Sequence, residues 1–337
     1  MSNKKHFKGL SALAGGVALT ALMAGTAFAD PALVYDGGGK FDASFNEAAY
    51  NGAEWFSQET GIGYQDLEIA GDAQREQAIR QFAARGNSPI ALPGFSWETA
   101  LRAVAPDFPD TAFVIIDTVV DDLPNVRSVV FKEHEGSFLV GALAAMASES
   151  GTIGFVPAFD FSLLNAFGCG YRQGAAYINP DIEIIETAIG TGFDAFNNPG
   201  GGTEVARSQI DRGADVIYHA AGGAGVGVLQ AAADAGILGI GVDSNQNHLH
   251  PGQVLTSMLK RVDVAVFNAF NDYNNDAWTN DVQVLGLAEE GVGAAFDEHN
   301  ADLITDEMRA QIEEITTMIV SGEIVVHDYR DDSSCPV

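Results

Sequence analysis

The sequence predicts an α/β protein with two doubly wound lobes of similar size. Short apolar segments alternate with helical segments almost without interruption from residue 32 onward. Several of these apolar segments are continuous, which is typical of parallel strands that are buried on both faces. The alternation forms two consecutive series, the second of which begins at Thr152. Two series of βα units favour two lobes.

The segment before this alternation is predicted to be a secretory signal peptide. Lysines at positions 4, 5 and 8 precede an apolar run over residues 10–24, and Ala27-Phe28-Ala29 has the small-x-small pattern of a cleavage site. The apolar run is short for a membrane span. We expect cleavage after Ala29. Because no cysteine follows this site, we expect a diffusible product without a lipid anchor.

The charge of the chain limits its partners. Removal of the three signal-peptide lysines takes the formal net charge from −29 to −32 and leaves Lys40, Lys132 and Lys260 as the lysines of the mature chain. Such an acidic surface repels nucleic acid polymers and anionic membranes. A hydrophobic content of 47% excludes wholesale disorder. A chain of this length can bury one or two substantial cores, and two domains are favoured. We also expect the protein to be a monomer.

The first series begins with a strand over 32–35 that leads into Asp36 and a run of glycines. Ser44 with Glu47 three residues later has the spacing of a capping box, so the first helix is predicted to begin there and to end at Gly61. An apolar run over 112–117 ends in Asp117 and predicts a central strand. The other predicted elements are a helix over 72–84, a strand over 89–94, a helix over 97–105, a strand over 126–131 and a helix over 135–148.

The second series predicts strands over 152–156, 182–188, 215–220 and 238–243, with helices over 163–178, 203–212 and 226–235. A strand and a helix follow within 254–273, then a strand over 282–287, a helix over 306–321 and a strand over 324–326. Because the late elements must join one lobe or the other, we expect the chain to cross between the lobes more than once. The predicted division is residues 30–148 with about 253–280 in the first lobe, 149–252 with about 281–330 in the second lobe, and 331–337 as a C-terminal tail.

Aspartates terminate three of the predicted strands, at Asp36, Asp117 and Asp243. The carboxyl ends of strands face the crevice of an open α/β sheet, where ligands bind. An ionised carboxylate can accept hydrogen bonds from two hydroxyl or amine donors at once. A single aspartate at such a position is usually a turn or cap residue, but three at equivalent positions favour a ligand site.

Other residues lie close to these strand ends in the sequence. Phe45 and Phe196 flank the set and could sandwich a flat ring, with ordinary core packing as the alternative. The glycine-rich stretch 221–227 follows a strand and opens a helix. It misses the G-x-G-x-x-G fingerprint and is interpreted as a backbone donor site, not as a dinucleotide site. Lys260 follows an apolar strand, and a solvated surface lysine is the alternative interpretation.

Six groups of motifs are distributed over nearly the whole mature chain. They are Asp36-Gly37-Gly38 with Asp42-x-Ser44-Phe45-Asn46, Glu135-Gly136-Ser137-Phe138-Leu139-Val140-Gly141, Phe196-x-x-Pro199, Ala221-Gly222-Gly223 with Gly225, Gly241-Val242-Asp243, and Ser257-x-Leu259-Lys260-Arg261-Val262-Asp263. Together they resemble the basic membrane protein (Bmp) family of ABC-transporter solute-binding proteins, which includes a purine nucleoside receptor.

This resemblance implies a type I periplasmic-binding-protein fold, in which two Rossmann-like lobes are joined by a hinge and enclose the ligand in an interlobe cleft. The ligand-binding residues that it implies are Asp36, Phe45, Asn46, Asp117, Phe196, Gly222, Asp243 and Lys260. Phe45 and Phe196 would stack on a purine base. We expect Asp243 with Lys260 on the ribose and Asp117 on the base.

The implied function is that of a periplasmic component of an ABC importer in a Gram-negative cell, which binds a purine nucleoside and delivers it to a permease in the inner membrane. A free purine base or a flavin is the alternative ligand. A sensor subunit and a nucleoside hydrolase that uses the aspartates are the alternative functions. Because the sequence has no nucleophile elbow and no His/Cys cluster with metal-ligand spacing, we expect no enzymatic activity, no metal and no cofactor.

Cys169 and Cys335 are the two cysteines of the chain. An even number of cysteines in an oxidising compartment is compatible with a disulfide. We hypothesise that the two residues pair and hold the C-terminal tail against the second lobe, where an untethered terminus would fray.

Overall fold

The computed structural model describes Met1 and residues 30–337. The signal peptide predicted over residues 1–29 lies, apart from Met1, outside the described residues. None of the helices in the described part of the chain is long and apolar enough to cross a membrane.

The strands of residues 30–337 are β1 (Ala32–Tyr35), β2 (Gln65–Glu68), β3 (Ile90–Pro93), β4 (Phe113–Ile116), β5 (Val126–Phe131), β6 (Thr152–Pro157), β7 (Glu183–Glu186), β8 (Val216–Ala220), β9 (Leu238–Asp243), β10 (Val254–Lys260), β11 (Val282–Leu285) and β12 (Val292–Ala294). The α-helices of the same region are α1 (Phe45–Thr60), α2 (Arg75–Ala84), α3 (Glu98–Val104), α4 (Glu133–Ala147), α5 (Ser162–Ile178), α6 (Pro199–Asp211), α7 (Gly225–Ala235), α8 (Val262–Asn274), α9 (Asp306–Ser321) and α10 (Tyr329–Asp332).

Each lobe is built on one six-stranded sheet. The first sheet has the strand order β11-β5-β4-β3-β1-β2 and is parallel throughout. The second has the order β12-β10-β9-β8-β6-β7 and is parallel except at β12, which runs antiparallel to β10. Strands β1, β3 and β4 are buried along their whole length, as their continuous apolar runs predict. The prediction of two doubly wound lobes is therefore confirmed.

The chain crosses between the lobes three times within residues 30–337. After β5 in the first sheet, α4 packs on α5, β10 and β12 of the second lobe. After β10 in the second sheet, α8 packs on α1 of the first lobe. After β11 in the first sheet, β12 joins the second sheet. These crossings form the hinge and bring residues of both lobes to the cleft.

Three elements lie in the lobe opposite to the one predicted. The sequence-based division places α4 and β10 in the first lobe and β11 in the second, whereas α4 packs on the second sheet, β10 pairs with β9, and β11 pairs with β5. Of the segment 253–280, α8 lies on the first lobe as predicted. The error has a physical reason. Hydrophobic periodicity reports how deeply a segment is buried, but it does not identify the sheet edge whose unpaired backbone groups the segment meets.

The sequence-based prediction is also wrong at the margins of the sheets. It missed β2, which is polar and mostly exposed because an edge strand packs on fewer neighbours, and it missed the short β12. The strand predicted over 324–326 does not form. Val325 in that segment is 82% exposed, so its β-branched side chain has no sheet surface to pack on.

The hypothesised disulfide is present. Cys169 on α5 is bonded to Cys335, with their Cα atoms 5.5 Å apart. The bond ties the C-terminal residues to the second lobe, as hypothesised.

Candidate functional site

The carboxyl-terminal ends of both sheets border a cavity between the lobes. The eight ligand-binding residues predicted from the sequence all line it: Asp36, Phe45, Asn46, Asp117, Phe196, Gly222, Asp243 and Lys260. The structure thus brings the predicted residues together, whereas their contacts with a ligand stay a prediction.

The first-lobe wall is organised by the N-terminus of α1. The buried carboxylate of Asp42 accepts hydrogen bonds from the backbone N–H groups of Ser44, Asn46 and Glu47, at 2.9, 3.0 and 3.1 Å. Burial raises the pKa of Asp42 to about 6, although these N–H donors lower it. The predicted capping box is therefore wrong in its register, because Asp42 caps the helix and Glu47 accepts from the N–H of Ala43.

Ser44 makes a contact between the lobes in place of the predicted cap. Its Oγ donates a hydrogen bond of 2.6 Å to Oδ2 of Asp243 at the end of β9. Two further hydrogen bonds cross at the same place, from Ser244 Oγ to Ser44 O at 2.8 Å and from Gln246 Nε2 to Ala43 O at 3.0 Å. The entrance to α1 is thereby fixed against the second lobe.

Asp36 and Asn46 are occupied mainly by protein partners. The carboxylate of Asp36 accepts from Arg75 Nη2 and Ser96 Oγ, both at 2.8 Å, and from the N–H of Gly37 at 2.7 Å. The side chain of Asn46 bonds to the backbone N–H and C=O of Asp36 and donates to the C=O of Gly39 at 3.1 Å. Both residues therefore hold the glycine turn after β1 in shape.

Lys260 also links the two lobes at the cavity. Its side chain is 2% exposed, and its Nζ lies 2.7 and 2.8 Å from the two carboxylate oxygens of Asp117 and 3.0 Å from Oε1 of Glu133. Because Asp117 follows β4 and Lys260 ends β10, the first of these ion pairs spans the cleft. The ammonium also lies 5.2 Å from the ring centroid of Phe45.

This arrangement corrects one expectation. We expected Lys260 to act together with Asp243 on the ribose, but the ion-pair partners of Lys260 are Asp117 and Glu133, and Ser44 hydrogen-bonds Asp243. The sequence gives no sign of Glu133 as a partner, because it lies far from Lys260 along the chain and starts a helix whose lobe was predicted wrongly.

The buried charges shift one another's pKa values. Burial raises the pKa values of Asp117 and Asp243 to about 6, while the charge of Lys260 lowers both. Burial also disfavours the charged form of Lys260, but Asp117, Glu133 and Asp243 outweigh this and hold its pKa above the ordinary value. The lysine therefore remains a cation, while the two aspartates begin to take up protons near pH 6.

Asp117 and Asp243 share an uncommon backbone conformation, with φ values of 72° and 63°. Aspartate is among the few non-glycine residues enriched in this left-handed region, and such positions cost on the order of 1–3 kcal/mol and cluster at functional sites. The same strand-end turn thus directs one carboxylate from each lobe into the cavity.

Comparison with known proteins identifies the family. The model of a family described as ABC transporter substrate-binding protein PnrA-like (Bmp) matches residues 31–330. The chain belongs to this family. Basic membrane protein A2 of Borrelia garinii subsp. bavariensis is 32% identical over 295 residues, which cover 85% of this chain and 84% of that protein. An uncharacterized lipoprotein of Pyrococcus horikoshii is 33% identical over 78% of this chain and 67% of its own length.

A similar solved structure agrees with this family assignment. The chain is similar to an ABC transporter solute-binding protein from Aeropyrum pernix K1, with a TM-score of 0.81 and 28% identity over 90% of this chain and 95% of that one. The predicted family and type I periplasmic-binding-protein architecture are confirmed. Proteins of this family are extracytoplasmic solute-binding components of ABC transporters, and the family is not one of enzymes.

In this PnrA-like protein, both lobes contribute aromatic walls to the cavity. Phe45 comes from the first lobe and Phe196 from the second. Phe95, which follows β3, stacks on Phe161 with centroids 4.4 Å apart and lies 5.1 Å from Phe193, so second-lobe rings cover a first-lobe ring.

Several lining residues were missed by the sequence analysis. They are Asp42, Phe95, Leu163, Leu164, Phe167 and Phe193. Phe95 carried a usable signal, because it follows the end of β3 as Asp36 follows β1. The leucines and Phe167 lie on α5 at helical spacing and are indistinguishable in sequence from core residues.

Gly222 lines the cavity in a left-handed conformation, with φ of 52°. A Cβ placed on it would lie 3.3 Å from Cδ1 of Phe196, so the glycine also gives room to the predicted stacking ring. Among the described residues, no group of His, Cys, Asp and Glu side chains has an arrangement that could hold a metal ion.

Proposed function

We propose that this PnrA-like substrate-binding protein binds a purine nucleoside between its lobes and delivers it to an ABC permease. One observation carries the proposal: a single interlobe cavity joins aromatic rings from both lobes with buried carboxylates and a lysine. A purine nucleoside presents both kinds of surface, because it joins a flat apolar-faced ring to a sugar rich in hydroxyl donors.

The aromatic rings of the cavity suit the base. Base–aromatic stacking is worth about 1–3 kcal/mol per base, and Phe45 and Phe196 approach the cavity from opposite lobes. Stacking between lobes would also reward closure, since each ring completes its contact only when the other lobe is in place.

The carboxylates of the cavity suit hydroxyl and amine donors. Among the described residues, Ser44 hydrogen-bonds Oδ2 of Asp243, which leaves Oδ1 free to accept from a ribose hydroxyl. Lys260 directs its charge to Asp117, so we assign Asp243 to the ribose and Asp117 with Lys260 to the neighbouring polar edge of the ligand. Asp36 and Asn46 act mainly by shaping the turn that borders the base.

The site of action that follows is the periplasm of a Gram-negative cell, with the ligand handed to a permease in the inner membrane. The predicted signal peptide supports export of the chain, and the absence of cysteine directly after its cleavage site supports a form without a lipid anchor. The Pyrococcus relative is named a lipoprotein. Fractionation of expressing cells, with mass spectrometry of the mature N-terminus, distinguishes the two forms.

Mass spectrometry of small molecules released from the purified protein tests the ligand assignment. Calorimetry of unfolded-and-refolded, ligand-free protein with inosine, adenosine, adenine and riboflavin follows. We expect the nucleosides to bind much more tightly than adenine. If riboflavin or adenine binds more tightly than the nucleosides, the assigned ligand changes from a purine nucleoside to another flat molecule. Release of free base from inosine would favour a hydrolase.

A further inference from the structure

The C-terminal segment returns to the hinge after α9. Residues 327–335, here called the C-terminal strap, include α10 and end at the disulfide-bonded Cys335. Arg330 in the strap lies beside the first crossing between the lobes. Its Nη2 donates to the C=O of Phe131, the last residue of β5, at 3.0 Å, and its Nη1 lies 3.0 Å from Oε2 of Glu133, the first residue of α4.

Glu133 connects the strap to the cavity. Its side chain is fully buried (0% exposed), and each carboxylate oxygen faces a different cation. Oε2 faces Arg330, and Oε1 faces Lys260 at 3.0 Å. Lys260 in turn pairs with Asp117 on the cavity wall. Four alternating charges therefore run from the strap to the proposed ligand site.

This order of charges determines where Lys260 is directed. Lys260 is shared between two carboxylates, and Arg330 supplies the second positive charge that Glu133 needs. Without Arg330, Glu133 would be a buried carboxylate with one cation, and breaking a buried pair leaves an uncompensated charge. Lys260 would then be drawn towards Glu133 and away from Asp117.

Several contacts hold the strap in place. Asp328 binds the guanidinium of Arg330 through both of its oxygens, at 2.7 to 3.0 Å, and lies 3.3 Å from Nδ1 of His134. Gln173 on α5 makes two hydrogen bonds to the backbone of His327, at 2.9 and 3.0 Å. The disulfide from Cys335 to α5 anchors the end of the strap. Arg330 is thereby presented to Glu133 from a fixed position.

We propose that Arg330 is a positioning residue of the binding site, held by the disulfide-anchored strap, which neutralises Glu133 so that Lys260 stays directed at Asp117. The effect on nucleoside affinity rests on the proposed function, whereas the coupling between Arg330 and Glu133 does not. A strap that only covers the fold would stabilise the protein without this dependence on Glu133.

A double-mutant cycle tests the proposal. The variants are Arg330→Gln, Glu133→Gln, the two combined, and the milder Arg330→Lys, with Arg207→Gln as the control because its side chain is 64% exposed and lies on α6, outside the strap and the cavity lining. For each variant, the dissociation constant for inosine and the urea midpoint of the ligand-free protein are measured. Arg330→Gln should weaken inosine binding about tenfold and lower the urea midpoint.

Adding Glu133→Gln should restore most of the affinity lost in Arg330→Gln, because no buried carboxylate then competes for Lys260. Arg330→Lys should retain affinity between the wild type and Arg330→Gln, and Arg207→Gln should match the wild type. Replacing both cysteines by serine should reproduce part of the loss and add little to Arg330→Gln. Equal inosine affinity in folded Arg330→Gln and the wild type, or no recovery in the double variant, would overturn the proposal.

The ligand-free arm separates two kinds of failure. If wild-type protein does not bind inosine, the proposed function fails. The urea midpoints then still test whether Arg330 is coupled to Glu133. Arg330→Gln should lower the urea midpoint less in the Glu133→Gln background than in the wild type, and that result supports the pairing of Arg330 with Glu133. An equal shift in both backgrounds overturns it.

Discussion

Three aspartates occupy equivalent positions at the ends of parallel strands, but the surroundings of Asp36 differ from those of Asp117 and Asp243. Asp36 is partly exposed and receives three hydrogen bonds from its own lobe. Asp243 is buried, and the side chain of Asp117 is 6% exposed, against 13% for Asp36. Both adopt positive φ and have a partner from the opposite lobe, Lys260 for Asp117 and Ser44 for Asp243. A strand-end aspartate thus marks the edge of the cleft, while its partners decide whether it shapes a turn or joins the two lobes.

The largest expected difference between the two kinds of aspartate is the loss of stability when their cationic partner is removed. Lys260→Met leaves Asp117 and Glu133 buried without their shared cation, so we expect a loss of about 3–5 kcal/mol in the free energy of unfolding. Arg75→Met should cost less, about 1–3 kcal/mol, because Asp36 keeps Ser96 and the N–H of Gly37 as donors. Urea denaturation of both variants measures the difference. An equal loss would mean that burial does not distinguish the two aspartates.

A comparison of two phenylalanines near the same glycine turn sharpens the assignment of the base. Phe45 lines the cavity, whereas Phe41 is 69% exposed and does not. Phe45→Ala should weaken nucleoside binding by about 1–3 kcal/mol, Phe45→Tyr should keep most of the affinity, and Phe41→Ala should leave it unchanged. Calorimetry with inosine provides the measurement. Unchanged affinity in Phe45→Ala would make Phe45 a packing residue.

The ribose assignment depends on Asp243 and not on Asp36. If Asp243 accepts from the ribose, a 2′-deoxynucleoside should bind about 1–3 kcal/mol more weakly than the nucleoside, because a buried acceptor is left unpaired. Asp243→Ala should remove most of this difference, and Asp36→Asn should retain it. Equal binding of adenine and adenosine to the wild type would show that Asp243 holds no sugar.

Stability and ligand affinity should both depend on pH through Asp117 and Asp243, with a smaller effect than the substitutions above. The pKa values of Asp117 and Asp243 are about 6, above the ordinary 3.8, so the folded protein binds protons more tightly than the unfolded chain. Their charged forms therefore oppose folding, and this penalty is relieved as the pH falls from about 6 towards 4. Ligand affinity should change in the opposite direction and fall as the pH falls, because ribose hydroxyls need the ionised carboxylate as an acceptor.

Lowering the pH from about 7.5 to 5 should therefore weaken nucleoside affinity about tenfold for each carboxylate that must lose its proton. Calorimetry across this range tests the expectation, with Asp243→Asn as the comparison because the amide does not titrate. A flat profile in the wild type, or the same slope in Asp243→Asn, would show that Asp243 is not the group that accepts from the ligand.

Local features of the sequence were sufficient to predict much of the site. Continuous apolar runs identified the central strands, because a strand covered on both faces excludes polar side chains. The aspartates at the ends of β1, β4 and β9 were predicted at the cleft because parallel strands place their carboxyl ends along one edge. Family motifs then selected Phe45, Phe196 and Lys260 from many similar residues.

The sequence by itself determined the alternation of strands and helices, the strand-end positions of the cleft residues and the even number of cysteines, since these depend on neighbours close along the chain. The tertiary structure decided which sheet β10 and β11 joined, which carboxylates received Lys260, and that Arg330 reached Glu133. Those outcomes depend on residues far apart along the chain: Lys260 lies 143 positions from Asp117. A lysine on an apolar strand pairs with whichever buried carboxylates the folded lobes bring within reach, because an unpaired charge there is too costly to remain.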